Sequence, residues 1–493
     1  MLSNQKPQNG YCFLQRLLLL LLALCAGIKG IAQLCNGSLG DPMVNITFGA
    51  GNSSTGFPLT GSVTDYSFVN TDCPNDGSYT IRNSTSLCFG DSWHTVTRDH
   101  TGDRGGYFMM VNASYTPGNF YVHSISGLCA NTTYEFAAWI MNLIKGNTSA
   151  IQPDLTFSIE SLDGTVLKSI NTGNIPNTAQ PQWKQYGFFF KTPENATSVV
   201  LKITNNAPGG IGNDLLLDDI TFRPCGPNLQ AQSNSTSDTI NMCQESAFPI
   251  ALSAGISTGF ENPVFFWQQS TDSGATWTDV QGANTNTLNW QPTGPGAYRY
   301  RFTAAEKQNS SLTACRVASN VIYINVFATP AAVAGTDKVI IKGYESRLGG
   351  QAEPGVSYSW QPALYLDNAA SAQPRIRAEA DVNYTLVATS DKGCSSSDNV
   401  EVKVMEQLYV PNAFTPDGDG KNDVWRIPHL DPQLGAEVIV FNRYGQVVYQ
   451  TKGATVSWNG TFKGKTMAAG TYIYTIQMKA GEAPLKGTLN LLR

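Results

Sequence analysis

The fold of this chain is indicated first by the stretch Ala469-Gly470-Thr471-Tyr472-Ile473-Tyr474-Thr475-Ile476-Gln477-Met478. Side chains of a β-strand alternate between two faces, so every second residue shares a face. One face is the more apolar and carries Tyr472, Tyr474, Ile476 and Met478. The other face carries Ile473, Thr475 and Gln477. The stretch therefore predicts a half-buried strand in a small antiparallel sandwich.

The same kind of pattern extends through residues 35–225. Leu155–Glu160 alternates between apolar and polar residues, and Tyr186–Phe190 and Val199–Ile203 are fuller apolar runs. Turn residues such as Asn205–Gly210 separate the runs, and no helical period is present. Charged residues make up only 14% of the chain, below the roughly 25% of ordinary globular proteins. We expect an all-β chain of several antiparallel β-sandwiches, the first of about 190 residues.

The chain begins with features of a signal peptide. Lys6 and Arg16 precede the apolar run Leu17–Ile28, and the small residues Gly30 and Ala32 follow it. The alternative is an uncleaved membrane anchor, but the run has about 12 residues and a spanning helix needs roughly 20. We predict a signal peptide over residues 1–32, a mature chain that starts near Gln33, and no integral membrane span once the signal is removed.

Length and charge limit the remaining possibilities. At 493 residues the chain is too long for one hydrophobic core. Four ranges after the signal peptide are expected to be domains, namely 33–226, 227–328, 329–405 and 406–493. The formal net charge is -5 and there is no basic run, which argues against nucleic acid as a partner.

The positions of the cysteines predict an immunoglobulin-like sandwich in the range 227–328. The first residues of this range, Pro227–Thr239, are expected to be a linker. Cys243, Trp267 and Cys315 follow one another over about 70 residues. This order is typical of a sandwich in which one disulfide joins two sheets and a tryptophan packs on it. Residues 329–405 resemble the PKD-like and immunoglobulin-like repeats of bacterial surface proteins, but their single Cys394 has no partner within that range.

The last segment carries four motifs in order. It contains Tyr409–Asp423, the hairpin Val438–Tyr449, the tetrapeptide Trp458–Thr461 and the strand Ala469–Tyr474, and ends at Arg493. Over about 85 residues it resembles the gliding motility-associated C-terminal domain, the type B sorting signal of type IX secretion in the Bacteroidetes. The resemblance implies Sec export, recognition by the type IX secretion machinery, and a final location on the outer surface of a Gram-negative cell or in the medium. The residues that we assign to the sorting motif are Pro411, Asn412, Phe414, Asp417, Asp419, Asp423 and Arg493.

Two interpretations apply to the acidic part of that motif. Asp417, Asp419, Asn422 and Asp423 supply the hard oxygen ligands that calcium prefers. The EF-hand spacing requires a Glu about eleven residues after the first ligand, where Pro428 stands. The alternative is a loop of Asx turns in which the carboxylates accept hydrogen bonds from neighbouring amides.

Residues 33–226 resemble the galactose-binding-like jelly rolls used as carbohydrate-binding modules. The resemblance is carried by Asp99–Asn112, by Tyr134–Ile140 and by Gly212–Ile220. It implies a stacking surface for a polysaccharide or a cell-surface glycan. The ligand-binding rings that we predict are Trp93, Tyr107 and Trp139, and Trp183 is a further large ring. Each ring could instead belong to the core, and Trp93, in a polar stretch, is the one most expected to be exposed.

The resemblance also implies a structural calcium and two disulfides. Asp218 and Asp219 open the last strand, and related jelly rolls hold calcium where that strand meets the N-terminal segment. We therefore expect Asp219 and Asp41 to bind it; the alternative is a solvated turn. Cysteines at the two ends of the domain and across a short loop are expected to pair as Cys35–Cys225 and Cys73–Cys88. Cys129 is then free, or paired with Cys394 or with another chain.

No hydrolase site is recognisable in the sequence. Gly255–Gly259 has the letters of Gly-x-Ser-x-Gly, but a nucleophile elbow joins a strand to a helix, and no helical period is present. There is no His-Glu-x-x-His zinc motif, and the chain has four histidines. We predict a secreted, non-catalytic adhesin or glycan-binding protein. Two alternatives remain, a polysaccharide-active enzyme with its site in the first domain and a structural component of the surface or the gliding apparatus.

Overall fold

The computed structural model describes residues 34–61, 63–146, 149–194, 197–235 and 237–493. The predicted signal peptide, with Cys12 and Cys25, lies outside these ranges. Within them the chain is all-β, with no α-helix and four short 3-10 helices at Gln244–Ser246, Lys307–Asn309, Thr313–Cys315 and Pro432–Leu434. None of the described helices has the length and apolar character needed to cross a membrane.

The chain forms two compact units. The first contains the described residues up to Ile240 together with Pro249–Gln291 and Ala297–Ile324. The second contains Asn241–Phe248, Pro292–Gly296 and Asn325–Arg493.

The first domain is a two-sheet sandwich of twelve strands. Strands β1 to β12 are Ser38–Leu39, Val44–Ile46, Ser67–Phe68, Ser78–Arg82, Phe108–Asn112, Asn119–Ser126, Thr133–Asn142, Asp154–Glu160, Val166–Asn174, Lys184–Lys191, Ser198–Asn205 and Leu215–Gly226. The larger sheet has the order β10-β7-β12-β5-β4-β3, with β1 and β2 also paired to β12. The smaller sheet has the order β6-β11-β8-β9. All pairs are antiparallel except β3 with β4.

Alternation along the strands places the core between the two sheets. On β7 the residues Tyr134, Phe136, Ala138 and Ile140 are buried in this core. The opposite face of the larger sheet also carries buried apolar residues, among them Phe108, Met110, Met141 and Leu216. Residues from the segment between β4 and β5, including Cys88, Trp93 and Val96, pack onto this outer face. The domain therefore has a second apolar cluster outside the sandwich.

The next eight strands form a second sandwich. Strands β13 to β20 are Leu229–Ser233, Thr239–Cys243, Ile250–Ile256, Pro263–Ser270, Thr278–Asp279, Thr287–Trp290, Gly296–Glu306 and Val317–Phe327. The sheets have the orders β13-β15-β18 and β14-β20-β19-β16-β17. Residues 227–239 were expected to be a linker, but Leu229 and Ala231 are buried and β13 pairs with β15. That expectation was wrong because the apolar residues in this short, polar segment alternate.

The expected Cys243–Cys315 disulfide is wrong. Cys315 ends a 3-10 turn just before β20 and is bonded to Cys129 of the first domain. Cys243 is bonded to Cys394. The buried Trp267 packs on Phe302, with ring centroids 5.3 Å apart. The pairs Cys35–Cys225 and Cys73–Cys88 are present as expected.

Two further groups of strands complete the chain. Strands β21 to β26 are Lys338–Ile341, Ser346–Arg347, Val356–Gln361, Arg375–Ile376, Val382–Ser390 and Ser395–Met405. Strands β27 to β33 are Ala413–Phe414, Glu437–Phe441, Val447–Lys452, Thr461–Phe462, Lys465–Thr466, Gly470–Gln477 and Leu485–Leu491. The main sheets have the orders β21-β26-β25-β23 and β27-β33-β32-β28-β29, and β21–β26 and β27–β33 are parallel pairs.

The half-buried strand predicted at residues 469–478 is β32. Tyr472, Tyr474 and Ile476 are buried, whereas Ile473 is 49% exposed. The expected inward and outward faces are therefore both observed.

Candidate ligand-binding sites of the first unit

Two of the three predicted stacking rings are buried. Trp93 is 1% exposed, and its Nε1 donates a hydrogen bond to Asp214 Oδ2 at 3.2 Å. Tyr107 is 7% exposed, and its hydroxyl donates to the carbonyl oxygen of Ser53 at 2.9 Å. Neither ring can stack on a sugar, so the assignment of Trp93 and Tyr107 to a binding surface was wrong. Trp93 was expected to be exposed because its neighbours in the sequence are polar. Its segment instead covers the apolar outer face of the larger sheet.

Asp214, the acceptor for Trp93, is itself buried. Burial raises its pKa to about 7, while hydrogen bonds from the Ala113 amide and the Trp93 ring act in the opposite direction. A buried carboxyl at this position therefore favours its neutral form.

The third predicted ring, Trp139, is partly exposed on the outer face of β7. The imidazole of His100 stacks on it with centroids 4.5 Å apart and planes 19° apart. Trp183 meets the same imidazole edge-on at 6.4 Å. Trp139 therefore belongs to a group of three rings with His100 and Trp183. The imidazole of His100 already stacks on the indole of Trp139.

Two carboxylates lie against this group. His100 Nδ1 lies 2.8 Å from Asp219 Oδ2 and 3.5 Å from Asp218 Oδ2. The backbone amide of His100 donates to Asp218 Oδ2, and the amide of Asp219 donates to Asp218 Oδ1. A break in register between Asp218 and Thr221, with φ of 40° at Asp219, brings the two adjacent carboxylates to one side.

Burial dominates the electrostatics of the pair. It raises the pKa of Asp218 to about 7; the His100 amide acts against this and the charge of Asp219 adds to it. The pKa of Asp219 is also raised by burial, and the charge of His100 acts against this increase. The adjacent acidic residues were visible in the sequence, but their histidine partner was not singled out because it lies 118 residues from Asp218, in the segment between β4 and β5.

The expected calcium pair Asp41 and Asp219 does not form. Both carboxylate oxygens of Asp41 accept hydrogen bonds from the Arg301 guanidinium, at 2.7 and 2.6 Å. The strand register explains the separation, since Ile46 lies opposite Ile220 while Leu39 lies opposite Cys225. Asp41 therefore lies beside the C-terminal half of β12, between the positions opposite Phe222 and Cys225, whereas Asp219 is in the N-terminal half of that strand.

The acidic loop of the C-terminal domain is organised by hydrogen bonds. Asp423 accepts from the amides of Gly418 and Gly420 at 2.6 and 2.8 Å. Asp417 accepts from the Asp419 amide, and Asp419 from the Lys421 amide. Carboxylate oxygens of Asp417, Asp419 and Asp423 also lie within 4.8 Å of one another. The Asx-turn geometry is present, and calcium binding by the same residues stays a prediction.

A cleft lies between the first domain and the second sandwich, within the first unit. Its volume is about 1160 Å³. Phe189 and Lys191 contribute from β10, and Phe260 contributes from the loop before β16. The charged residues on its walls are two lysines and two glutamates, Lys191, Lys307, Glu261 and Glu306. This cleft could not be predicted from the sequence, because its walls come from segments that are distant along the chain.

The loop that carries Phe260 is held in place by Glu306. The two carboxylate oxygens of Glu306 accept from the amides of Glu261 and Asn262, at 2.6 and 3.0 Å. The ring of Phe260 lies over Gly226, where an added Cβ would be only 3.1 Å from Cζ. Phe189 is covered on one side by Lys168, whose Nζ lies 5.2 Å from the ring centroid.

The two walls of the cleft are joined by several bonds. The Cys129–Cys315 disulfide crosses from one domain to the other, and Cys315 lines the cleft. The Asp41–Arg301 ion pair makes a second link. Asn309 Nδ2 donates to the Ala130 carbonyl oxygen at 2.8 Å and to Thr132 Oγ1 at 2.9 Å. The cleft is therefore preformed.

Comparisons with solved structures give weak similarities. The fibronectin(III)-like modules of Clostridium thermocellum CbhA are 15% identical, with a TM-score of 0.18, and the match covers 36% of this chain and 98% of theirs. The CBM22-1 xylan-binding domain of Paenibacillus barcinonensis Xyn10C is 14% identical, with a TM-score of 0.21, covering 38% and 97%. The Bacteroides ovatus protein SGBP-B, solved with a mixed-linkage heptasaccharide, is 13% identical, with a TM-score of 0.16, covering 53% and 70%.

These similarities are too low to assign a ligand to this chain. No curated protein matches the sequence. A family model does match the C-terminal segment: residues 408–491 match the CHU_C Type IX secretion signal domain, which marks the chain as a secreted or cell-surface protein.

Proposed function

We propose that this chain is a non-catalytic glycan-binding protein of the cell surface, and that the cleft of the first unit binds the glycan. The observation that carries the proposal is the preformed cleft with two phenyl rings among polar groups. Ligand sites are commonly found between domains, with apolar rings for contact and a few polar groups for orientation. The type IX secretion signal domain supports a location of the cleft outside the cell, where polysaccharides are abundant ligands.

The side chains of the cleft are suited to sugar rings. Phe189 and Phe260 offer apolar surface for the C–H faces of a sugar, and Asn36, Asn131 and Gln308 offer amides for its hydroxyls. The formal charges of the two lysines and two glutamates cancel. This balance favours a neutral polysaccharide over a polyanionic one.

The bonds that join the two walls of the cleft should favour binding of the glycan. A site that is ordered before binding loses little conformational entropy when the ligand arrives. Cys129–Cys315 and the Asp41–Arg301 pair fix the walls, and Glu306 fixes the Phe260 loop. We therefore expect binding without a large rearrangement.

The test measures binding of the oxidised mature chain to neutral and acidic polysaccharides from plant, algal and microbial sources. Phe260→Ala should weaken binding of the recognised glycan by about 10- to 100-fold, since burial of a phenyl side chain contributes roughly 1.5–3 kcal/mol. Phe57→Ala is the matched control, because Phe57 is 92% exposed and does not line the cleft. Equal affinity of the Phe260 variant and the control would reject the cleft.

Trp139 remains the alternative binding ring. If Trp139→Ala abolishes binding and Phe260→Ala does not, the outer face of β7 is the site. Release of soluble sugars from the bound polymer would favour the enzyme alternative. A folded chain that binds no glycan would favour the structural or gliding-related role.

A further inference from the structure

His100, Asp218 and Asp219 form a compact group of possible metal ligands. One ligand atom from each lies within 4.8 Å of those from the other two. Bonds of about 2.0–2.1 Å in a tetrahedral zinc site place neighbouring ligand atoms roughly 3.3 Å apart. The observed distances from His100 Nδ1 to the two carboxylates, 2.8 and 3.5 Å, bracket that value. The ligand atoms therefore have the spacing of a transition-metal site.

Two carboxylates, those of Asp218 and Asp219, face the basic side chain of His100. The side chain of Asp218 is 2% exposed and that of Asp219 is 18% exposed. Within the described ranges, His100 is the one basic side chain within ion-pair distance of either carboxylate. Adjacent buried carboxylates are costly without a compensating cation. A bound divalent cation would supply that charge.

The histidine nitrogen faces the carboxylates without a satisfactory hydrogen bond. His100 Nδ1 is buried and makes no hydrogen bond of acceptable geometry, although Asp219 Oδ2 is 2.8 Å away. Stacking on Trp139 and the edge contact with Trp183 fix the orientation of the imidazole. The Nδ1 atom is thus held toward the carboxylates by packing, as second-shell contacts hold metal-binding histidines.

We propose that His100 Nδ1, Asp218 and Asp219 bind a divalent transition metal of the zinc class. Calcium takes six to eight oxygen ligands, whereas a nitrogen and two carboxylate oxygens suit zinc and leave a fourth position for water. Asp218 Oδ2 already accepts the His100 amide but retains lone pairs for a metal. The site is separate from the cleft and does not depend on the proposed glycan binding.

The experiment uses the full mature chain after removal of metals with a chelator. Zn²⁺, Co²⁺ and Ca²⁺ are each titrated, with bound metal measured by equilibrium dialysis and Co²⁺ also followed by its visible absorption. The wild type should bind one Zn²⁺ or Co²⁺ that His100→Ala weakens by roughly 100-fold or more, since even outer-shell changes cost about 10- to 100-fold. His123→Ala, on β6 of the other sheet, is the matched control.

Folding is followed in the same samples. Zn²⁺ should raise the unfolding temperature of the wild type and of His123→Ala, but not of His100→Ala or Asp219→Asn. The absence of a stoichiometric Zn²⁺ or Co²⁺ site in the folded wild type would overturn the proposal. So would Zn²⁺ affinity that is unchanged in His100→Ala, and direct contact of the imidazole with the carboxylates would then explain the geometry.

Discussion

Removing the Cys129–Cys315 disulfide should strongly destabilise the first unit. The two cysteines are separated by 186 residues, and the chain-entropy relation gives about 5 kcal/mol for a loop of that size. Cys73 and Cys88 are separated by 15 residues, for which the same relation gives about 3 kcal/mol. We therefore expect the double variant Cys129→Ala/Cys315→Ala to lose about 2 kcal/mol more than Cys73→Ala/Cys88→Ala.

Alanine suits these positions because Cys129, Cys315 and Cys88 are buried and a serine would add an unsatisfied hydroxyl. The assay is urea unfolding of the oxidised chain, followed by tryptophan fluorescence. Both disulfides lie in the same unit, so the same transition reports on both. The dependence on loop length is contradicted if Cys129→Ala/Cys315→Ala unfolds at the wild-type midpoint, or if it is at least as stable as Cys73→Ala/Cys88→Ala.

Two further predictions concern single carboxylates. Burial raises the pKa of Asp214 to about 7, so its stabilising contribution is present at low pH and is lost as the pH rises from about 4 to about 7. Compared with Asp214→Asn, the wild type should lose up to about 4 kcal/mol of stability over this range, measured by urea unfolding at several pH values; identical pH dependence would contradict the assignment. Asp423→Ala removes the acceptor of two loop amides, whereas Asp417→Ala removes the acceptor of one. Export, measured as the fraction of chain that reaches the surface or medium, should fall more in the Asp423 variant, and an equal effect would argue against a structural role for these bonds.

Local regularities predicted much of the fold. The alternation at Tyr472–Met478 gave the buried face of β32, because strand periodicity is a property of neighbouring residues. The Cys73–Cys88 disulfide could be predicted for a similar reason, because the short loop between the two cysteines leaves few alternative pairings. The C-terminal domain was identified from motifs that lie within one continuous segment.

Several features that depend on distant segments were not predicted, although the Cys35–Cys225 pair was expected from the resemblance. Asp41 was expected to bind calcium, but its partner Arg301 lies 260 residues away in another sandwich. Cys315 was paired with Cys243 because the order of cysteines and tryptophan cannot show that Cys315 faces the first domain. Trp93 appeared exposed because its neighbours are polar, while the surface that buries it comes from strands further along the chain.

The Cys129–Cys315 bond also affects the order in which the first unit closes. Because a chain is synthesised N-terminus first, Cys129 emerges 186 residues before its partner. At roughly 5–20 residues per second this interval is about 10–40 s, comparable with the seconds-to-hours range of disulfide formation. Cys35, Cys73 and Cys88 arrive earlier and are competing partners throughout that interval. Covalent closure of the first unit by Cys129–Cys315 is therefore a late step, and any earlier mispairing of Cys129 must be reversed by thiol exchange before it.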